Sequence, residues 1–121
     1  MSEVKRVEKP WGFEVIWANS GKYAGKILHV TAGHKLSWQY HEFKEETIYL
    51  QSGVLDFETE KEGEERRIVR MMPGDAFHIE PYRKHRMIAV EDCDILEAST
   101  CELDDVVRLS DDYGREGTTK A

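Results

Sequence analysis

The sequence has few cysteines, few prolines and no long apolar run. Its 121 residues include two cysteines and three prolines. Because a membrane-spanning helix needs roughly 20 consecutive apolar residues, no such span is predicted, and residues 1–6 lack the apolar core of a signal peptide. Cys93 and Cys101 form no C-x-x-C motif. We therefore expect free thiols that fill the core of a cytoplasmic protein.

The sequence is also poor in positive charge. It contains 17 lysines and arginines against 24 acidic residues, for a formal net charge of −7. Binding to nucleic acid or to an anionic membrane depends on a dense lysine and arginine surface, so neither partner is expected. The length suits one domain. We predict a single domain over residues 1–121, with a polar tail from about residue 110 that is partly disordered.

The sequence does contain many short segments with strand composition. They are rich in Val, Ile, Thr and aromatic residues, and Gly, Pro or charged clusters separate them. The predicted strands cover residues 13–17, 26–31, 35–41, 47–51, 54–59, 66–71, 76–79, 85–90 and 94–100. Helical periodicity is absent apart from a turn near residues 103–107. This pattern predicts an all-β sandwich or barrel, with the acidic segment 58–65 as a solvated hairpin tip.

The predicted strand 35–41 carries different chemistry on its two faces. Side chains alternate along a strand, so Leu36, Trp38 and Tyr40 share one face while Gln39 and His41 share the other. In one interpretation the aromatic face lies in the core. In the other, Gln39 and His41 point into a barrel, and the aromatic face is covered by a second subunit, which predicts a homodimer.

Four residues have the chemistry of metal ligands. Gln39 and His41 are two positions apart on one strand face, Glu46 opens the following strand, and His85 begins a later one. Together they offer nitrogen and oxygen ligands to a divalent metal ion. Imidazole and carboxylate ligands suit Zn, Mn, Fe, Co or Ni and do not select among them.

The same residues resemble the cupin superfamily. Its first motif, G-x5-H-x-H-x3,4-E-x6-G, is matched in spacing from Gly33 to Gly53, with Gln39 in place of the first His. The second, G-x5-P-x-G-x2-H-x3-N, is matched at Gly74 and His85. Three positions depart from it: Glu80 for Pro, Tyr82 for Gly and Ala89 for Asn. The resemblance implies an all-β, cupin-type double-stranded β-helix, or jelly-roll barrel, which hosts many functions.

A narrower resemblance is to the C-terminal cupin domain of type II phosphomannose isomerases. That domain carries R-P-W-G, L-S-L-Q-x-H, I-P-x-G-x-K-H-R and D-D-I-V-R-L-E-D-x-Y-G-R segments. The corresponding segments here are KPWG (9–12), LSWQYH (36–41), IEPYRKHR (79–86) and DDVVRLSDDYGR (104–115). Gln39 matches this subfamily. The resemblance implies a metal-dependent sugar-phosphate isomerase that interconverts mannose-6-phosphate and fructose-6-phosphate, without the guanylyltransferase domain of the bifunctional members.

The resemblance also implies roles for particular residues. The expected reaction passes through a cis-enediol, which requires a cation, a proton carrier and a phosphate anchor. Lys84 is the candidate to polarise or protonate the sugar. Arg108 and Arg115 are candidates to bind the phosphate, since guanidinium groups bind phosphate oxygens bidentately. Glu80 and His78 are both candidates for the base.

Simpler interpretations of these residues stay open. Lys84 could be a solvated loop cation, and the two arginines could pair with neighbouring aspartates. Other functions for such a domain are a sugar epimerase, a lyase, an Fe-dependent dioxygenase, or a cupin that binds carbohydrate without catalysis.

Overall fold

The computed structural model describes the backbone of residues 1–119 and the side chains of residues 1–117. It contains twelve strands: β1 (Lys5–Lys9), β2 (Gly12–Asn19), β3 (Ala24–Val30), β4 (Trp38–Tyr40), β5 (Glu46–Ser52), β6 (Leu55–Glu60), β7 (Arg67–Met71), β8 (Ala76–Ile79), β9 (Lys84–Ala89), β10 (Cys93–Ser99), β11 (Val106–Ser110) and β12 (Gly117–Thr119). None of the residues described forms a helix that is long and apolar enough to cross a membrane.

The strands form two six-stranded antiparallel sheets. One has the order β1-β2-β3-β10-β5-β8, and the other has the order β12-β11-β4-β9-β6-β7. Their inward side chains meet in one core, where Ile48 of the first sheet and Phe57 of the second are both fully buried. Each large apolar side chain buried in this way contributes about 1.5–3 kcal/mol. The prediction of an all-β jelly roll is confirmed.

Alternation along the strands decides which side chains enter the core. In β6, Leu55, Phe57 and Thr59 are buried and the residues between them are half-buried. The loop from 61 to 66, between β6 and β7, is exposed. This confirms the solvated hairpin tip predicted for 58–65 over residues 61–65, whereas residues 58–60 belong to β6 and Thr59 is buried. Both cysteines are free, as predicted, with Cys93 in the core.

The segment 35–41 differs from its predicted geometry. Only Trp38–Tyr40 forms a strand, and Lys35 makes an isolated bridge to Ile88. Leu36 packs against the core, so the interpretation that places this face outward is wrong for Leu36. Trp38 is buried, with the Arg66 guanidinium 3.8 Å above its ring. This chain therefore covers Trp38 itself, and the homodimer stays a prediction.

The ends of the chain contain more strand than the sequence predicted. β1 pairs with β2, and β11 pairs with both β4 and β12. The turn expected near 103–107 gives way to β11 from Val106. Asp111 is buried in the segment after β11. The tail predicted to be partly disordered thus forms a loop and strand up to residue 119, and its last two residues lie outside the described part.

Candidate metal centre and its cavity

Three of the four predicted metal ligands form a buried cluster. His41 follows β4, Glu46 opens β5 and His85 lies in β9. Glu46 Oε1 is 3.8 Å from His41 Nε2 and 3.7 Å from His85 Nε2. One ligand atom from each residue lies within 4.8 Å of the others. These separations bring three donor atoms around one point, which suits a single metal ion.

Backbone carbonyls orient the two imidazoles toward that point. His41 Nδ1 is 2.6 Å from the Asp105 carbonyl, and His85 Nδ1 is 2.9 Å from the Arg83 carbonyl. Because a carbonyl only accepts, each Nδ1 must donate a proton, and each Nε2 then carries a lone pair. Both Nε2 atoms are buried without a hydrogen-bond partner among the described residues. Two unpaired acceptors beside a carboxylate fit a bound cation.

The loop between His41 and Glu46 is held by one aspartate. The Asp105 carboxylate accepts backbone N–H bonds from Glu42, Phe43 and Lys44 at 3.2, 2.7 and 2.9 Å. Burial raises the pKa of Asp105, but these bonds outweigh it and hold the pKa below its ordinary value. The same residue, through its carbonyl, orients His41. Asp105 therefore positions one ligand directly and another through the loop.

The electrostatics keep the cluster ready to bind a cation. Burial lowers the pKa of His85 to about 4, so its imidazole is neutral near neutral pH. Burial opposes ionisation of Glu46, but Lys44 and the two histidines hold the pKa of Glu46 below its ordinary value. Neutral imidazoles and an ionised carboxylate are the states that ligate metals.

The fourth predicted ligand, Gln39, lies beside the cluster. It pairs with His85 across β4 and β9 and with Arg108 across β4 and β11. Its side-chain oxygen accepts a bond of 2.5 Å from Ser37. Gln39, His41 and Glu46 line one cavity of about 60 Å³. The structure therefore places Gln39 at the cavity that His41 and Glu46 line, and opposite His85 in register.

The cavity is richer in positive charge than the chain as a whole. Five cationic and three acidic side chains line it: Lys9, Lys26, Lys44, Arg108 and Arg115, with Glu14, Glu46 and Glu97. The chain as a whole has a net charge of −7. The barrel interior thus concentrates positive potential at a site where an anion can approach.

Most of these charges are paired. Lys44 Nζ lies 2.8 Å from Glu46 and 3.0 Å from Glu97. Glu14 pairs with Lys26 at 3.3 Å and with Lys9 at 3.7 Å. A buried charge is costly unless it is paired, so these contacts offset part of the cost of a polar interior.

The two arginines predicted to bind phosphate both line the cavity, but they differ in pairing. Arg115 donates two side-chain bonds to Asp111, at 2.9 and 3.1 Å, as the salt-bridge interpretation expected. Arg108 is 8% exposed, and its Nε has no hydrogen-bond partner among the described residues. Burial lowers the pKa of Arg108 below its usual value. An unpaired guanidinium nitrogen this deeply buried points to an anionic ligand.

The other predicted site residues lie elsewhere. Lys84 Nζ is 3.6 Å from Glu60 on the outer side of the barrel. Glu80 pairs with Arg83. His78 is exposed and 2.5 Å from Glu45. None of the three predicted residues lines the cavity. For Lys84 the reason is alternation, since His85 beside it points inward.

Sequence reasoning missed several charged residues of the cavity: Lys9, Glu14, Lys26, Lys44 and Glu97. A signal existed for two of them. Lys26 shares its strand face with Leu28, and Glu97 shares its face with Ile95. Because i and i+2 positions share a face, a charge in series with buried apolar residues predicts a buried charge. Lys44 lies in a loop, where no such periodicity applies.

One departure from the second cupin motif has a structural consequence. Tyr82 stands where the motif has Gly and adopts a φ of 67°, a conformation that glycine adopts at little cost. Its backbone N–H donates to the His41 carbonyl at 2.7 Å, and its ring stacks on Tyr40. The tyrosine thus keeps the turn that glycine would make, next to a metal ligand.

Several solved structures share this fold. KdgF from Halomonas sp. aligns over 84% of this chain and 89% of its own, with a TM-score of 0.68 and 20% identity. Oxalate decarboxylase from Bacillus subtilis aligns with a TM-score of 0.77 and 16% identity, over 88% of this chain and 30% of its own. CapF, solved with the inhibitor 3-isopropenyl-tropolone, has a TM-score of 0.73 and 12% identity, over 91% of this chain and 35% of its own.

Sequence comparison adds no closer relative. No protein-family model matches the sequence, and no curated protein matches it. The chain spans about a third of the oxalate decarboxylase and CapF chains. At these identities the solved structures establish the fold, and they do not establish the phosphomannose isomerase resemblance. The protein has the cupin jelly-roll fold.

Proposed function

We propose that the protein is a metal-dependent cupin enzyme that isomerises a sugar phosphate, with mannose-6-phosphate and fructose-6-phosphate as the leading pair. The observation that carries the proposal is the combination of a buried His-Glu-His cluster and a buried arginine, Arg108, whose Nε has no hydrogen-bond partner within residues 1–117, in one barrel. A metal-dependent isomerase of a sugar phosphate can use both features, one for the reacting oxygens and one for the phosphate.

The cluster supports metal binding in the proposed reaction. His41, Glu46 and His85 would hold a divalent ion, with Gln39 as a fourth ligand. When bound, such an ion acts as a Lewis acid that stabilises negative charge on substrate oxygens. Asp105 and the Arg83 carbonyl keep the imidazoles in the orientation this requires.

Arg108 supports recognition of the phosphate. It lies on β11 opposite Gln39, so an anion bound to its guanidinium would sit next to the metal ligands. Arg115 also lines the cavity, but Asp111 already accepts its hydrogen bonds. We therefore assign the direct phosphate contact to Arg108 and a supporting charge to Arg115.

The proton transfer calls for a residue in the cavity. Lys84, Glu80 and His78 are outside it, whereas two carboxylates besides Glu46 line it, Glu14 and Glu97. Each is buried and paired with lysine. We assign the proton transfer to one of these two carboxylates. The variants Glu14→Gln and Glu97→Gln test this, since the true carrier loses turnover and keeps phosphate affinity.

The proposed function is tested with metal-stripped protein and a panel of hexose phosphates. We expect no turnover without metal and isomerisation of a phosphorylated sugar after addition of one of Zn²⁺, Mn²⁺, Fe²⁺, Co²⁺ or Ni²⁺. Arg108→Met should abolish use of the phosphorylated sugar. Arg67→Met, at an exposed position in β7, is the matched control and should not.

Two results would contradict the isomerase proposal. One is full activity in protein shown by elemental analysis to lack metal. The other is no turnover of any hexose phosphate with any of the five metals. Sugar binding without turnover would favour a carbohydrate-binding cupin instead.

A second candidate follows from the size of the cavity. Its volume of about 60 Å³ is room for only a few water molecules, because one ordered water needs roughly 10–15 Å³ by this measure. A hexose phosphate would extend beyond it, whereas a small carboxylate would fill it and could bind Arg108. Oxalate decarboxylase has the same fold. Oxalate and similar acids therefore belong in the panel, with carbon dioxide release as the measurement.

A further inference from the structure

Lys44 is a buried lysine beside the candidate metal centre to which the proposed function gives no role. Its side chain is 5% exposed. Its ammonium group lies between two carboxylates, 2.8 Å from Glu46 and 3.0 Å from Glu97. A lysine side chain is rarely buried to this extent unless it is paired, so this position within the barrel calls for an explanation.

The two oxygens of Glu46 have different surroundings. Oε1 faces the imidazoles, 3.8 Å from His41 Nε2 and 3.7 Å from His85 Nε2. Oε2 forms an ion pair with Lys44 Nζ at 2.8 Å, but it has no hydrogen-bond partner of good geometry among the described residues. The carboxylate thus has one oxygen beside the ammonium group and one directed at the metal position.

Lys44 is itself anchored on two sides. Its ammonium group contacts Glu97, which projects from the neighbouring strand β10. Its backbone N–H donates to the Asp105 carboxylate at 2.9 Å. These contacts fix the position of the ammonium group between the two carboxylates.

We propose that Lys44, anchored by Glu97, is a positioning residue that makes Glu46 a ligand through Oε1 alone. This inference rests on the metal centre of the proposed function. With Gln39, His41 and His85, a glutamate bound through one oxygen gives the ion about four protein ligands and leaves about two positions open at a six-coordinate ion. A glutamate bound through both oxygens would leave about one open position on the ion.

The number of open positions bears on the substrate class. A sugar that reacts at C1 and C2 can bind an ion through two neighbouring oxygens only if two positions are free. Lys44 thus makes the centre suitable for substrates with two adjacent oxygen atoms, such as hydroxy-aldehydes, hydroxy-ketones or dicarboxylates.

The test uses Mn²⁺ alone as the probe. Water proton relaxation of Mn²⁺-loaded protein counts the exchangeable waters on the ion. We expect about two waters on the wild type and about one on K44M/E97Q, so the inner-sphere relaxation per bound ion falls about twofold. The double variant removes Lys44 together with the Glu97 charge, so that Glu97 is not left buried and unpaired, and the bound Mn²⁺ is then the cation that faces Glu46. The crystal structure of the Mn²⁺ complex should show Lys44 still bound to Glu46 Oε2.

Two further variants separate positioning from a general structural effect. Lys44→Arg keeps the cation and should keep about two waters. Lys61→Met, in the exposed turn between β6 and β7, makes the same change at the surface and should behave as the wild type. If K44M/E97Q does not fold, the crystal structure of the wild-type Mn²⁺ complex tests the proposal instead. A Glu46 that binds the ion through both oxygens would overturn it.

The proposed role of Lys44 would also be overturned by equal water counts in the wild type and K44M/E97Q. A wild type that binds no Mn²⁺ would overturn it as well. These results are independent of turnover. If the water counts differ as expected and no hexose phosphate reacts, the isomerase proposal fails and the role of Lys44 stands. If a hexose phosphate reacts and the water counts are equal, the isomerase proposal stands and the role of Lys44 fails.

Discussion

The two ends of the barrel interior differ in chemistry, although the same strands run through both. Along β5, inward positions change from Glu46 to Ile48 and Leu50. Along its neighbour β10 they change from Glu97 to Ile95 and Cys93. Glu97 pairs in register with Ile48, and Ile95 with Leu50. Along each strand the inward positions thus change from charged to apolar within about two residues. One end of the barrel interior is therefore charged and the other is apolar.

This difference separates stability from function. Close-packed apolar side chains supply the stability of a domain, while buried ion pairs often contribute little and can be replaced by apolar groups at no cost. We therefore attribute the charged side chains at this end to ligand binding rather than to the stability of the fold. Substitutions at the two ends should affect different measurements.

The largest expected effect is on stability, from Leu50→Ala at the apolar end. Leu50 is fully buried in the core, and loss of its side chain leaves a cavity. We expect the free energy of unfolding to fall by about 2–5 kcal/mol, measured by urea denaturation. Mn²⁺ affinity of the folded variant should stay within about threefold of the wild type, since the metal cluster lies at the other end. A large loss of Mn²⁺ affinity would contradict the separation.

The converse effect is expected from Arg108→Met at the charged end. The change removes the unpaired guanidinium and keeps an unbranched side chain in its place. We expect affinity for inorganic phosphate, measured by calorimetry, to fall by about 10- to 100-fold, the range for a charge-assisted hydrogen bond. The free energy of unfolding should be unchanged or higher, because a buried unpaired polar group is removed.

Arg67→Met is the control for this experiment, since Arg67 is exposed in β7 and should affect neither measurement. The separation of the two ends would be broken if Arg108→Met unfolded the protein as strongly as Leu50→Ala. It would also be broken if phosphate bound equally well to both arginine variants.

The sequence predicted the apolar end well, and three of its candidate ligands, His41, Glu46 and His85, lie together in the structure. Strand alternation follows from backbone geometry alone, so the core strands were predicted within a few residues. Gln39, His41, Glu46 and His85 were found because their spacing matches a motif. The Lys5–Lys9 and Gly117–Thr119 strands were missed because these short polar segments become strands only by pairing with others.

The charged end was predicted less well. Lys84 was assigned to the site because it matches a lysine of the family's turn, but it lies within β9 next to His85, and neighbours on a strand point to opposite faces. Glu14 and Lys26 were missed because their pairing joins separate strands. Charge networks depend on which strands become neighbours in the sheet, and a single sequence does not contain that information without a motif that spans them.

A smaller effect is expected from Asp111→Asn at the rim of the charged end. Asp111 accepts bonds from the backbone and the guanidinium of Arg115. Burial raises the pKa of Asp111, but Arg115 outweighs it and holds the pKa below 3.8. This stabilisation is complete above the ordinary pKa and is lost as the pH falls through the lower, folded value.

We therefore expect Asp111→Asn to cost about 1–2 kcal/mol near neutral pH, with the difference from the wild type shrinking in acid. Urea denaturation near pH 7 and near pH 3 measures it. This result would refine the comparison of the two barrel ends, because it would identify a residue of the charged end that contributes to the free energy of unfolding. A difference that stays constant with pH would show that the carboxylate charge has no such role.

The smallest expected effect is on thiol reactivity, since the two cysteines lie toward opposite ends of β10. Cys93 is fully buried at the apolar end, while Cys101 is half-buried beyond Ser99. Burial raises the pKa of the Cys93 thiol to about 11, so near pH 8 only about one thiol in a thousand is the reactive thiolate. A disulfide reagent should modify Cys101 quickly and Cys93 only in denaturant, with Cys101→Ser as the control. Rapid modification of Cys93 in the native protein would mean that the apolar end opens, and that close packing does not distinguish it from the charged end.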